Sequence, residues 1–167
     1  MPPGGAPAGS GDPGVVSTPT DFDNAMLEMA SGYRTDFSRV NSAPYPSALG
    51  SFDINLFVHG DSRVYRAIHP ETTSASNVEI SVGTVIVREV LDASGAVTKL
   101  TMMAKGPAGY DPTLGDWWFA VTDPSGKVMS DSTGLQVGRL AACHSCHVPR
   151  ATSDFLFGVP SADENHH

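Results

Sequence analysis

The sequence predicts an α+β fold, an antiparallel β-sheet with flanking helices, with a further short helix close to the C-terminus. Three observations carry this. Two segments rich in β-branched residues, Gly83 to Leu91 and Val97 to Lys105, face each other across an Ala93-Ser94-Gly95 turn signal. Near the start, Met26, Leu27, Ala30, Tyr33 and Phe37 recur at helical spacing. Near the end, Cys143-His144-Ser145-Cys146-His147 places three chemically special side chains within one or two helical turns.

Taken in order, ten of the first nineteen residues are Gly or Pro. Such a composition buries too little apolar surface to offset its ordering entropy, so 1–19 reads as a flexible tether. Thr20-x-x-Asp23 offers a helix start, and the first helix is expected to run to about Val40. After the breaks at Pro44 and Pro46, Phe52 to His59 reads as a strand and Asp61 to Ile68 as a short helix opened by Asp61. A Ser/Thr/Asn-rich loop follows. Beyond the hairpin, Gly109 to Asp116 reads as a loop and Asp116 to Thr122 as a strand ending at the Asp123-Pro124-Ser125-Gly126 turn. Lys127 to Ser130 is expected to complete a meander. The final helix should span about Val137 to His147, with Pro149 stopping it. Residues 20–160 are thus read as a single domain and 161–167 as a disordered tail, with His166-His167 resembling a purification-tag stub and Met1 a cloning start.

The 167 residues (17.5 kDa) suit one domain with a core large enough to bury a cofactor. A net charge of −8 and a pI near 5.0 argue against nucleic acid, whose phosphates would be repelled. No stretch approaches the roughly eighteen continuous apolar residues of a membrane span.

Cys-x-x-Cys-His is the attachment sequence of a c-type haem. Cys143 and Cys146, three apart on a helix, can each form a thioether to a haem vinyl group, and His147 can then reach the iron as proximal ligand. Competing uses of the pair are weak. A zinc ribbon needs a second ligand pair, and these are the only two cysteines. A thioredoxin-like redox pair belongs at the front of a βαβ unit, and a disulfide closing so small a loop would stabilise little. His144 is assigned to solvent. Because c-type haem is attached outside the cytoplasm in bacteria, the protein is expected to be periplasmic or otherwise extracytoplasmic. The matching signal sequence is not visible, since Met1 leads straight into Pro2-Pro3-Gly4-Gly5.

Only twenty residues follow His147, none of them Met. A sixth iron ligand would have to come from upstream. Met102 and Met103 are adjacent on a strand, so only one can face the haem. His59 and His69 are the imidazole alternatives. An open sixth position is the favoured expectation.

Several segments together resemble the cytochrome P460 family, which includes the β-type cytochromes c-prime. The resemblance rests on Gly83-Thr84-Val85-Ile86-Val87-Arg88-Glu89, on Gly109-Tyr110-Asp111-Pro112 followed by Gly115-Asp116-Trp117-Trp118-Phe119, and on Cys143 to His147 with Asp154-Phe155 after it. It covers about Tyr33 to Gly158. The resemblance implies an antiparallel sheet with flanking helices, usually a homodimer, holding one pentacoordinate c-type haem. In cytochrome P460 a lysine links covalently to the haem ring and the enzyme oxidises hydroxylamine. The matching position here is Arg88, whose delocalised guanidinium is a poor nucleophile, so no cross-link is expected. The hydroxylamine-oxidising members also need a carboxylate just before the first haem cysteine, and Leu135 to Ala142 contains none.

Relatives without the cross-link bind nitric oxide and related small gases. On that reading Arg88, Asn55, Phe57 and Ile86 are candidates for the distal pocket. Residues 55 and 57 share one strand face, and Ile86 shares a face with Arg88. Arg88 is alternatively a surface charge or a partner of Glu89 or a haem propionate. Trp117 and Trp118 should point to opposite faces, one into the core and the other toward a dimer interface. Function is therefore expected to be ligand binding at a monohaem centre. A hydroxylamine oxidase or a peroxidase with Arg88 as cationic stabiliser is the enzymatic alternative, and electron transfer with a redox partner protein is the third.

Overall fold

In the computed structural model the described residues are 18–48, 50–71 and 78–166. The tether over 1–17 and most of the Ser/Thr/Asn-rich loop lie outside them.

Helix α1 (Asp21–Ser31) begins where the sequence places it, with a reciprocal capping box between Thr20 and Asp23. It does not continue to Val40. Gly32 interrupts it, α2 (Tyr33–Asp36) adds a single turn, and Ser38–Arg39 then pairs as β1. A short strand β2 (Tyr45–Pro46) precedes β3 (Asp53–His59), and α3 (Ser62–Arg66) follows. Asp61 stands at the start of α3 without capping it, because its carboxylate accepts the Ser81 N–H instead.

The hairpin is β4 (Val85–Leu91) and β5 (Val97–Lys105), and β6 (Trp117–Thr122) extends it. The expected strand after the Pro124 turn is displaced. Val128 makes only a bridge to Thr122, and Ser130–Asp131 (β7) pairs with Gly134–Leu135 (β8) as a separate ribbon. Val137–Gly138 (β9) then pairs with β6, made possible by a left-handed Gly138 (φ +99°). That pairing takes the first residues expected for the last helix, so α4 runs only over Ala141–His147. Pro149 does not end the coil. It sits in the first turn of a 3₁₀ helix, Val148–Ser153, where its missing N–H costs nothing.

All pairings are antiparallel, in the order β1-β3-β4-β5-β6-β9, with β2 also on β3. Alternation along these strands gives the sheet two buried faces. One, with Phe57, Val87, Met102 and Trp118, packs beneath α1 and α2. The other, with Leu56, Ile86, Trp117 and Phe119, is covered by α3, α4 and the C-terminal segment. Trp117 and Trp118 do point to opposite faces, but both are fully buried within the protomer. Trp118 Nε1 donates to Asp23 Oδ1 (2.9 Å) beneath α1, so it is not available to a dimer interface.

The expected disordered tail is tied down over its described part. Asn165 N–H donates to the Val40 carbonyl (2.7 Å), Ser42 N–H to that of Asp163 (2.9 Å), and Glu164 bridges Asn41. No helix among the described residues is long and apolar enough to cross a membrane.

Candidate functional site

The second face of the sheet does not close onto its cover. It leaves a cavity of about 260 Å³, walled by Ile54, Leu56, Ile86 and Phe119 from the strands and by Cys143 and His147 from α4. The cause is register. Leu56 pairs with Arg88, Arg88 with Thr101, and Ile86 with Met103, so these side chains rise from one face at neighbouring positions.

Cys143 is half-buried against this core and Cys146 is exposed; both thiols are free. Burial pushes the Cys143 thiol up to about 11, while the nearby Arg88 charge opposes that shift. His147 is held between two aromatic rings, Phe119 with centroids 5.4 Å apart and Phe157 at 5.3 Å. Its Nδ1 lies 2.6 Å from the Phe155 carbonyl. A carbonyl can only accept, so Nδ1 carries the proton and Nε2 is left as the lone-pair nitrogen. Burial holds the imidazole below its ordinary pKa, which favours the neutral ring. His144, assigned to solvent, is half-buried.

The Phe155 carbonyl reaches this position through an unusual bend. Asp154 (φ +52°) and Phe155 (φ +62°) are successive left-handed residues, a conformation costing about 1–2 kcal/mol for each side-chain-bearing residue. Three contacts hold it. Lys105 Nζ meets both Asp154 oxygens (2.8 and 2.9 Å), Ile80 N–H donates to Asp154 Oδ2 (2.8 Å), and Trp117 Nε1 donates to the Asp154 carbonyl (2.8 Å). Both members of the ion pair are buried. Three residues beyond Phe155, Gly158 passes so close to the segment after α3 that a Cβ there would overlap the Ile68 carbonyl.

Of the four distal candidates, Arg88 and Ile86 line the cavity. Asn55 and Phe57 do not. They occupy the opposite face, because residues 55 and 57 alternate with Leu56, the partner of Arg88. Asn55 instead joins a buried polar cluster: its Nδ2 donates to Glu89 Oε2 (3.0 Å), and its Oδ1 accepts from Arg39 (2.7 Å) and Asn41 (3.0 Å). Phe57 packs edge-on to Tyr33 in the α1–α2 core. Glu89, the sequence neighbour of Arg88, bonds Tyr33 and Arg34 on that far side and does not pair with Arg88.

Among the sixth-ligand candidates, Met103 shares the cavity face with Ile86 and Met102 turns into the other core. His59 is exposed and stacks on Phe37, and His69 Nδ1 meets the Val159 carbonyl (2.7 Å). Sequence reasoning missed Tyr45 and Tyr65, both buried and both lining the cavity. Tyr45 sits between two prolines that read as a break. It also missed the Lys105–Asp154 pair, although a lysine at the inward position after Thr101 and Met103 was a visible anomaly in the strand pattern.

The donor set suits a covalently held metalloporphyrin. Two unpaired thiols three residues apart precede an imidazole fixed through Nδ1 by a carbonyl, the outer contact that orients most metal-ligating histidines. Among the described residues no cluster of three or more His, Cys, Asp or Glu could hold a bare metal ion. No protein-family model matches the chain, and no curated protein matches it significantly.

Proposed function

We propose that the chain is a monohaem c-type cytochrome of the P460/c-prime-β kind, working outside the cytoplasm, with an open site that binds nitric oxide or a related small ligand. Cys143 and Cys146 would carry the thioethers and His147 the iron. When bound, the group would supply an iron able to take a small ligand. The observation that carries the reading is the 2.6 Å contact of His147 Nδ1 with the Phe155 carbonyl, on a side chain that lines the cavity beside Cys143.

The residues around the cavity divide the work. His147 is fixed in tautomer and orientation before any ligand arrives. Ile54, Leu56, Ile86 and Phe119 form an apolar wall that keeps bulk water from the site. Arg88 supplies a donor, and the cavity lining contains no Asp or Glu among the described residues. Binding needs only the donor, whereas hydroxylamine oxidation or peroxide cleavage also needs a proton acceptor.

The test is optical. The purified haem protein should give high-spin ferric and ferrous spectra that shift on adding nitric oxide. A low-spin ferrous spectrum unaffected by nitric oxide would instead indicate an endogenous ligand such as Met103 and an electron-transfer role. Rapid turnover of hydroxylamine with an electron acceptor would favour the enzyme.

A further inference from the structure

The cavity has one polar corner. Arg88 reaches into it from β4, and its Nε donates to Thr101 Oγ1 at 2.8 Å. No carboxylate among the described residues pairs with the guanidinium. Burial lowers its pKa, but arginine starts so high that it remains charged. Tyr45, 5% exposed, lines the same cavity, and its hydroxyl has no hydrogen-bond partner among the described residues. Tyr65 lines it as well and has only a long contact, 3.3 Å, to the Gly158 carbonyl.

Arg88 is half-buried and opens onto the cavity without a counter-ion among the described residues, a position that a negatively charged guest would improve. Here a guanidinium and a phenol converge on one space with capacity to spare. The neutral gases need neither. Arg88 also shares the cavity with Cys143.

We propose that Arg88 and Tyr45, supported by Tyr65, form an anion subsite that selects a small monoanion, of the nitrite or azide class, as ligand of the same cavity. This rests on the open haem site proposed above. The subsite makes the ligand preference one of charge as well as size: a charge-assisted hydrogen bond from Arg88 and a neutral one from Tyr45 both favour a ligand carrying negative charge on its outer atoms.

The test uses the ferric holoprotein, titrated optically with sodium azide and sodium nitrite. Nitric oxide and, on the reduced protein, carbon monoxide serve as neutral comparisons. Arg88→Met should weaken both anions by about tenfold or more, and Tyr45→Phe by a few-fold. Carbon monoxide affinity should fall by much less. Arg88→Lys, which keeps the charge, should retain part of the anion affinity and guards against a variant that merely misfolds. Equal anion affinities in wild type, Arg88→Met and Tyr45→Phe would overturn the subsite while leaving nitric oxide binding intact. A wild-type protein that binds neither nitric oxide nor anions would overturn the open site and the subsite together.

Discussion

His147 and Phe155 are joined by a 2.6 Å contact between a ring nitrogen and a backbone carbonyl, across a bend whose two left-handed residues are held by a buried lysine. The imidazole is therefore aimed by residues far from it in sequence. Lys105→Met strands the Asp154 carboxylate in the interior and should cost about 3–5 kcal/mol, read from urea unfolding. Adding Asp154→Asn should recover part of that loss, since it removes the uncompensated charge. A double variant less stable than Lys105→Met alone would contradict this assignment.

The two cysteines differ before any haem is attached. Cys143 is half-buried with its thiol pushed up to about 11, and Cys146 is exposed. In the haem-free chain at pH 8, iodoacetamide should label Cys146 well ahead of Cys143, because thiolate is the reactive form. Peptide mass mapping at partial modification reads the order directly. Preferential labelling of Cys143 would contradict the packing described for α4.

On the far face of the sheet, Glu89 accepts from Tyr33 (2.5 Å), Asn55 and Arg34. Burial alone would raise its pKa, but these hydrogen bonds outweigh it and the net shift is downward. A lowered folded-state value means stability that is present above the unfolded value near 4.5 and lost as pH falls below it. Tyr33 shifts the other way, from 10.0 to about 12, chiefly by burial. Its contribution is intact below pH 10 and disappears between 10 and 12. Glu89→Ala should cost about 1–3 kcal/mol and flatten the acid limb, and Tyr33→Phe should flatten the alkaline limb, both followed by unfolding against pH.

Face assignment gives a sharper contrast. Phe57→Ala should cost about 3–5 kcal/mol through the α1–α2 core, yet leave ligand affinity nearly unaltered. Ile86→Phe should narrow the cavity and weaken ligand binding with a smaller loss of stability. Ligand titration beside urea unfolding separates the two.

Much of this was legible in the chain. The β4–β5 hairpin was, because β-branched runs bounded by turn residues have few alternatives, and the Thr20–Asp23 cap was, because its chemistry is local. That Cys143, Cys146 and His147 share one short helix could be read for the same reason. Pocket membership could be read only in part, for Arg88 and Ile86 but not for Asn55 and Phe57. Asn55 and Arg88 are on different strands, and which of their faces coincide depends on the Leu56–Arg88 register, a long-range fact that alternation within one strand does not contain. Gly138 likewise hid β9, since Val137 and Gly138 read as the first turn of the last helix. The Tyr45 hydroxyl and the Asp154 bend are products of tertiary packing and left no local trace.

Whether Cys143, Cys146 and His147 carry a haem is read most directly on protein expressed with a c-type maturation system. The expected product is a coloured protein whose denatured mass exceeds that of the chain by one haem, and whose colour is lost from the denatured Cys143→Ala/Cys146→Ala variant. A properly exported, folded protein with the mass of the bare chain and no Soret band would contradict the proposal.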